Sequence, residues 1–190
     1  MTDFFTRCCK KLSLLLLLSL FTLTAVADGI QVKSAELVPL ENAYALNADF
    51  DVDFSPEVES ALSKGVQLVF LLEFQLVSPR RYWFDDEITT TSEHVQLSYH
   101  ALSRQYLINI GQHQQSFATL QEAREELGRV RDWVVLEKAD IVKDEPYQAV
   151  VRFRLDHSRL PKALQVEVLG SDKWALVSDR YRWTPTFQRP

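Results

Sequence analysis

The sequence predicts a mainly β protein, an antiparallel β-sandwich with two short helices, and three observations carry that prediction. Apolar and polar residues alternate with period two in several segments, which sends successive side chains to opposite faces of a strand. These segments follow one another at hairpin-like spacing, and only two stretches carry helix-start signals. A βαβ architecture would need a helix between successive strands, so a sandwich is favoured, and an immunoglobulin-like topology is one form of it.

The first 27 residues read as an address rather than as fold. Arg7, Lys10 and Lys11 precede an apolar run from Leu12 to Val26 that ends in Ala25-Val26-Ala27. This is the pattern of a secretory signal peptide, with cleavage expected after Ala27. The run is shorter than the roughly 20 residues of a bilayer-spanning helix, so no stable membrane anchor is expected after cleavage. Cys8 and Cys9 lie before it, and residues 28–190 contain no cysteine. A periplasmic chain of that length must then depend on a hydrophobic core without disulfides. Residues 28–190 are expected to form one β-rich domain, with a tail that frays from about residue 184.

Within that domain, residues 30–38 open the strand series, and "AYALNADFDVDF" follows. Tyr44, Leu46, Ala48, Phe50, Val52 and Phe54 share one face of it, while Asn47, Asp49, Asp51 and Asp53 share the other. Ser55-Pro56 offers an N-cap and a first-turn proline, Val58, Ala61 and Leu62 form a short apolar stripe, and Gly65 supplies a stop. "VQLVFLLEFQLV" is apolar on both faces and reads as a central strand. Strands are expected next at 81–90, 95–99 and 106–110, with Tyr99 opposite Arg104 in a hairpin that sets apolar against apolar. Thr119 and Glu122 form a capping box, with Leu120, Ala123, Leu127 and Val130 at helical spacing and Glu125 one turn from Arg129. "YQAVVRFRL" and "LQVEVL" alternate again, and 174–183 is the last expected strand.

No catalytic motif accompanies this frame. The chain has no G-x-S-x-G elbow, no S-x-x-K, no thiolate in residues 28–190 and no glycine-rich phosphate loop. His94, His100, His113 and His157 lack metal-binding spacing; His94 and His100 would stand roughly 20 Å apart on a strand. The stripe from Asp49 has Phe54 and Ser60 where a calcium loop needs Gly and Glu, so a solvated acidic face or a charged edge is expected. No metal and no cofactor are expected. A hydrolase using Asp85, Glu93, His94 or His100 is the weakest reading, because no nucleophile, base and orienting group fall together.

Residues 28–190 hold 18 Lys plus Arg against 25 Asp plus Glu, a balance of −7 that repels nucleic acid. "RRYWFDDEI" begins at Arg80, and alternation must send at least one of Tyr82, Trp83 and Phe84 away from the core. Either that second face is covered by the helix or by arginine stems, or the aromatic is an exposed anchor. On the second reading Arg80, Arg81, Tyr82, Trp83, Phe84 and Asp85 form a partner-binding surface, with Arg180, Tyr181, Arg182 and Trp183 as a secondary one. A periplasmic small-molecule or lipid carrier is the alternative, with its ligand between the sheets or under the helix from Leu120.

The blocks "PRRYWFDDEI", "LSYHALSRQYLINIG", "FATLQEAREELGRVRDW" and "VRFRLDHSRLPKALQV" resemble the exported proteobacterial family catalogued as domain of unknown function 4390. The resemblance implies no reaction, substrate or catalytic residue. Members of that family are often encoded beside a membrane sensor histidine kinase and its response regulator. What this implies is a non-catalytic binding module of the envelope, with the periplasmic domain of such a kinase as the expected partner.

Overall fold

The computed structural model describes residues 29–80, 85–142, 145–168 and 170–187. Nine strands among them form two antiparallel sheets that pack face to face. The smaller sheet contains β1 (Gly29–Pro39), β2 (Ala43–Asp53) and β7 (Arg129–Glu137), in the order β1-β2-β7. The larger contains β3 (Leu68–Ser78), β4 (Asp86–His100), β5 (Gln105–Ile110), β6 (His113–Phe117), β8 (Gln148–Leu155) and β9 (Tyr181–Trp183), in the order β6-β5-β4-β3-β8-β9. This division of three and six departs from the four and three strands of an immunoglobulin constant domain.

The expected alternation of β2 and β3 builds the core. Phe50 meets Phe153 at 5.0 Å between ring centroids, Phe153 meets Phe70 at 5.4 Å, and Phe54 stacks on Phe70 at 6.1 Å. β3 lies between β4 and β8, as its two apolar faces require. Helix α1 (Pro56–Ser63) starts where Ser55 accepts the Val58 amide hydrogen at 3.4 Å, and it buries Val58, Ala61 and Leu62. Gly65, at φ +88, follows its end in the left-handed region that glycine adopts without strain. Helix α2 (Leu120–Leu127) has its capping box: Thr119 Oγ1 accepts from Glu122 N at 3.2 Å, and Glu122 Oε2 accepts from Thr119 N at 3.3 Å.

Several expectations are corrected. α2 ends at Leu127 rather than Val130, because Gly128 closes it and Val130 already pairs with Ala48 in β7. Arg129 therefore meets Glu126 at 3.2 Å, not Glu125. "LQVEVL" is not a strand: residues after Pro161 form α3 (Lys162–Val168), in which Leu164 and Val168 lie one turn apart, so the same spacing serves a helix. The strands expected at 81–90 and 95–99 are one long β4 from Asp86, with residues 81–84 outside those described. The β4–β5 hairpin pairs Tyr99 with Tyr106 and Leu97 with Ile108, two residues from the expected register. A shift of two keeps every side chain on its face, so alternation does not distinguish the registers. The turn, with Arg104 at φ 54, and the Tyr99–Tyr106 ring contact at 4.9 Å accompany the observed one. Beyond residue 184, where fraying was expected, Phe187 packs edge-on against Tyr44 at 5.0 Å and Tyr147 at 5.6 Å.

Gly128 ties α2 to the smaller sheet. Its carbonyl accepts the Phe50 amide hydrogen at 2.7 Å, and a Cβ there would lie 2.3 Å from Phe50 O. Gly128→Ala forces helix and strand apart and is expected to cost about 1–3 kcal/mol. Urea unfolding checks this: the midpoint falls with the slope unchanged, whereas an unchanged midpoint refutes the close approach.

Candidate functional site

The described parts of the two segments singled out in the sequence, Arg80 and Asp85 of the first and β9 of the second, lie at one corner of the larger sheet. Ser78 pairs with Asp86 across the β3–β4 hairpin, which places Arg80 and Asp85 at that end. Leu76 pairs with Ala149 and Ala149 with Trp183, so β9 reaches the same end two strands away. At a strand spacing of about 4.8 Å this separates β9 from β3 by roughly 10 Å. Arg80 is exposed and bridges to Asp86, and its amide approaches Asp85 Oδ1 at 3.4 Å. Arg81, Tyr82, Trp83 and Phe84 lie outside the described residues.

The strand expected at 174–183 is broken, and the break aims the arginines. A turn of 3-10 helix at Asp172–Trp174 buries Trp174, and Leu176 O accepts from Leu155 N at 2.8 Å as the chain joins the edge of β8. At Ser178 the side chain takes over one half of the backbone ladder: the Ser178 amide still donates to Phe153 O at 2.8 Å, but its buried Oγ, rather than its carbonyl, accepts from Phe153 N at 2.9 Å and donates to Asp179 O at 2.9 Å. Asp179 and Arg180 bulge outward, and pairing resumes at Tyr181. Tyr181 lies opposite Val151 and Trp183 opposite Ala149, so both aromatics lie on the core side, where Trp183 meets Phe74 at 6.4 Å and Tyr181 at 5.7 Å. Arg182, opposite Val150, stands on the outer face.

That outer face continues along β8 and β3. Arg154 Nε reaches Glu73 Oε2 at 3.0 Å, and Gln75 Nε2 reaches Glu87 Oε2 at 3.1 Å. Between them a cavity of about 150 Å3 is lined by Glu73, Gln75, Thr90, Val150, Arg152 and Arg180. Farther along, His94 Nε2 stands 3.9 Å from Asp156 Oδ2. Burial pushes the Asp156 carboxyl up, but hydrogen bonds from Ser158 Oγ at 2.6 Å and Ser158 N at 3.0 Å outweigh it and hold the group below the usual carboxylate value.

The hydrolase residues are not brought together. Asp85 precedes β4, Glu93 and His94 occupy opposite faces of its middle, and His100 bonds Ser103 Oγ at 2.8 Å at its far end. Among the described residues no three His, Cys, Asp or Glu gather as a metal site would require. The acidic stripe is not an edge, since β2 is the middle strand of its sheet. Each acid has a cation: Asp49 meets Arg131 at 2.5 Å, Asp51 meets Lys33 at 3.1 Å and Asp53 meets Arg124 at 2.9 Å. The Arg131 bond holds the Asp49 carboxyl below its usual range. Sequence reasoning missed Ser178 and Arg152. A serine inside an apolar run was the only signal for the first, and the outward alternation of β8 the only signal for the second.

Ser178→Ala removes the acceptor of the buried Phe153 amide and is expected to cost about 1–3 kcal/mol. Amide exchange at Phe153 reads it directly, and unchanged protection contradicts the assignment. Asp49 and Asp156 have lowered folded-state pKa values, so their stabilisation is complete above the unfolded value of about 3.9 and is lost as pH falls through the folded values. Thermal melts should fall steeply below about pH 4, and less steeply in Asp156→Asn. Equal slopes in the two proteins would refute the role of Asp156.

The family model described as domain of unknown function (DUF4390) matches residues 27–184, and the chain belongs to this family. No curated protein and no solved structure matches it.

Proposed function

We propose that this protein is an exported, non-catalytic binding module of the cell envelope, and that it meets another protein through the corner where Arg80, Asp85 and β9 lie. The observation that carries the reading is that Arg80 and Asp85 come to the same end of one sheet as Tyr181, Arg182 and Trp183 of β9, 101 positions of sequence apart from Arg80 to Tyr181. Arginine, tryptophan and tyrosine are the types that anchor protein interfaces, because they combine large apolar area with directed hydrogen bonds. Here Tyr181 and Arg182 are exposed on the edge strand β9, with exposed Arg180 just before it, and the strand's backbone groups add to what side chains offer. The periplasmic domain of a membrane sensor histidine kinase is the proposed partner, and the leader at 1–27 the proposed route of export.

A carrier is the second reading, and one feature favours it. A groove of about 760 Å3 runs beside α2, lined by Lys33, Asp51, Glu59, Arg124, Glu125 and Arg129 among others. Its charged walls suit a small polar ligand rather than a lipid, while the space between the sheets is filled by Phe50, Phe70 and Phe153. The binding-module reading is preferred because Lys33 pairs with Asp51 and Arg124 bridges Asp53 and Glu59, so the groove's charges are largely neutralised within the chain, although Arg124 Nε has no hydrogen-bond partner among the described residues.

Photo-crosslinking in living cells tests the interface, with the reactive residue in place of Tyr181. A covalent adduct with a second envelope protein is expected. Crosslinks confined to the chain itself would remove the corner as a site.

A further inference from the structure

The outer face of β8 and β9 holds more positive charge than its own acids use. Arg152, Arg154, Arg180 and Arg182 stand on it, in a chain whose formal net charge is −5. Arg154 is committed to Glu73, and Glu87 accepts from Gln75. Neither acid therefore serves Arg152, whose Nε is buried without a hydrogen-bond partner among the described residues, as is Arg124 Nε, but whose guanidinium, unlike that of Arg124, has no ion pair among them. An N–H donor on a charged group, shut away from water without an acceptor, is costly, and natural proteins keep few of them. The donor borders the cavity that Arg180 overhangs from its bulge.

We propose that this cavity receives a carboxylate, presented by an acidic side chain of an extended partner segment lying along the free edge of β9. The inference rests on the reading of the corner as a protein interface and names the chemistry of the partner. A guanidinium fork matches the planar carboxylate. Glu73 and Glu87 on the walls disfavour the second charge of a phosphate. The edge of β9 supplies the register. No strand covers it among the described residues, and a segment added there sends alternate side chains to the face on which Arg182 stands. Arg180 and Arg182 then flank the acid that reaches Arg152.

Nitrogen-15 NMR of the protein tests this, following the Nε–Hε signals of Arg152 and Arg180 and the backbone amides of residues 181–183. The probes are a capped peptide of alternating threonine and glutamate, its glutamine counterpart, and glutarate. The glutamate peptide should move both sets of signals and bind at least about tenfold more tightly than the glutamine peptide. Arg152→Gln should lose about the same factor, and Arg180→Ala, a change at an exposed side chain, carries the test if Arg152→Gln fails to fold. Equal binding of the two peptides, or an unmoved Arg152 signal, overturns the proposal. Glutarate moving Arg152 as far as the peptide does, with residues 181–183 unmoved, overturns the partner segment and identifies a site for a free small carboxylate. Crosslinks from position 181 that persist in Arg152→Gln leave the binding module standing without the carboxylate. Their absence from the unsubstituted protein removes both.

Discussion

The cluster of Phe50, Phe153 and Phe70 is the contact on which the rest of the structure depends. Each ring comes from a different strand, Phe50 from the smaller sheet and the other two from the larger, so the cluster is where the layers hold together. Burying a phenylalanine contributes about 1.5–3 kcal/mol, and a domain with no disulfide must collect its stability from such terms. Both helices with capped starts serve that core. α1 buries Val58 and Leu62 under it, and α2 is held to Phe50 through Gly128. The outer faces of both sheets are thereby released from any structural duty and can carry charge.

Clean alternation made β2, β3 and β8 legible, because each runs without a bulge in its own inward row and meets the core along its length. The cap residues made α1 and α2 legible for a separate reason: Ser55 and Thr119 each satisfy a helix amide that needs an acceptor. β7 was not legible. Its register with β2 shifts twice, and Asp132 adopts φ 53 with its amide donating to Asn47 Oδ1 at 2.9 Å, so its inward residues do not recur every second position. β6 is polar apart from Phe117 at its end, so no apolar row announces it. α3 was misread because Leu164, Val166 and Val168 satisfy both periods, and only Val166, exposed at 75%, reveals that one of the three is not inward.

The corner follows the same logic. Arginines and aromatics were visible in the sequence as residue types, but the approach of Arg80 and Asp85 to β9 depends on β3 pairing with both β4 and β8, and on β8 pairing with β9. Such pairings join residues far apart in the chain, and a single sequence holds no record of them. The bulge at Asp179 and Arg180 was equally hidden. It exists because Ser178 offers its hydroxyl to a backbone amide that would otherwise claim a strand partner.

Net charge alone would have assigned the wrong character to both outer faces. The smaller sheet concentrates acids on β2, yet Arg131, Lys33 and Arg124 answer Asp49, Asp51 and Asp53 in turn at 2.5–3.1 Å, so little of that charge is left to attract a partner. The larger sheet belongs to the same acidic chain, yet its outer corner keeps arginines whose neighbouring acids are engaged elsewhere. Exposed ion pairs contribute little to stability, so the pairing on β2 is better understood as self-neutralisation than as reinforcement. Recognition follows the charge that remains after local pairing, because only that charge has an unmet demand for a counter-ion. Arg152, Arg180 and Arg182, which have no ion pair among the described residues, stand beside the edge strand β9 and carry such charge.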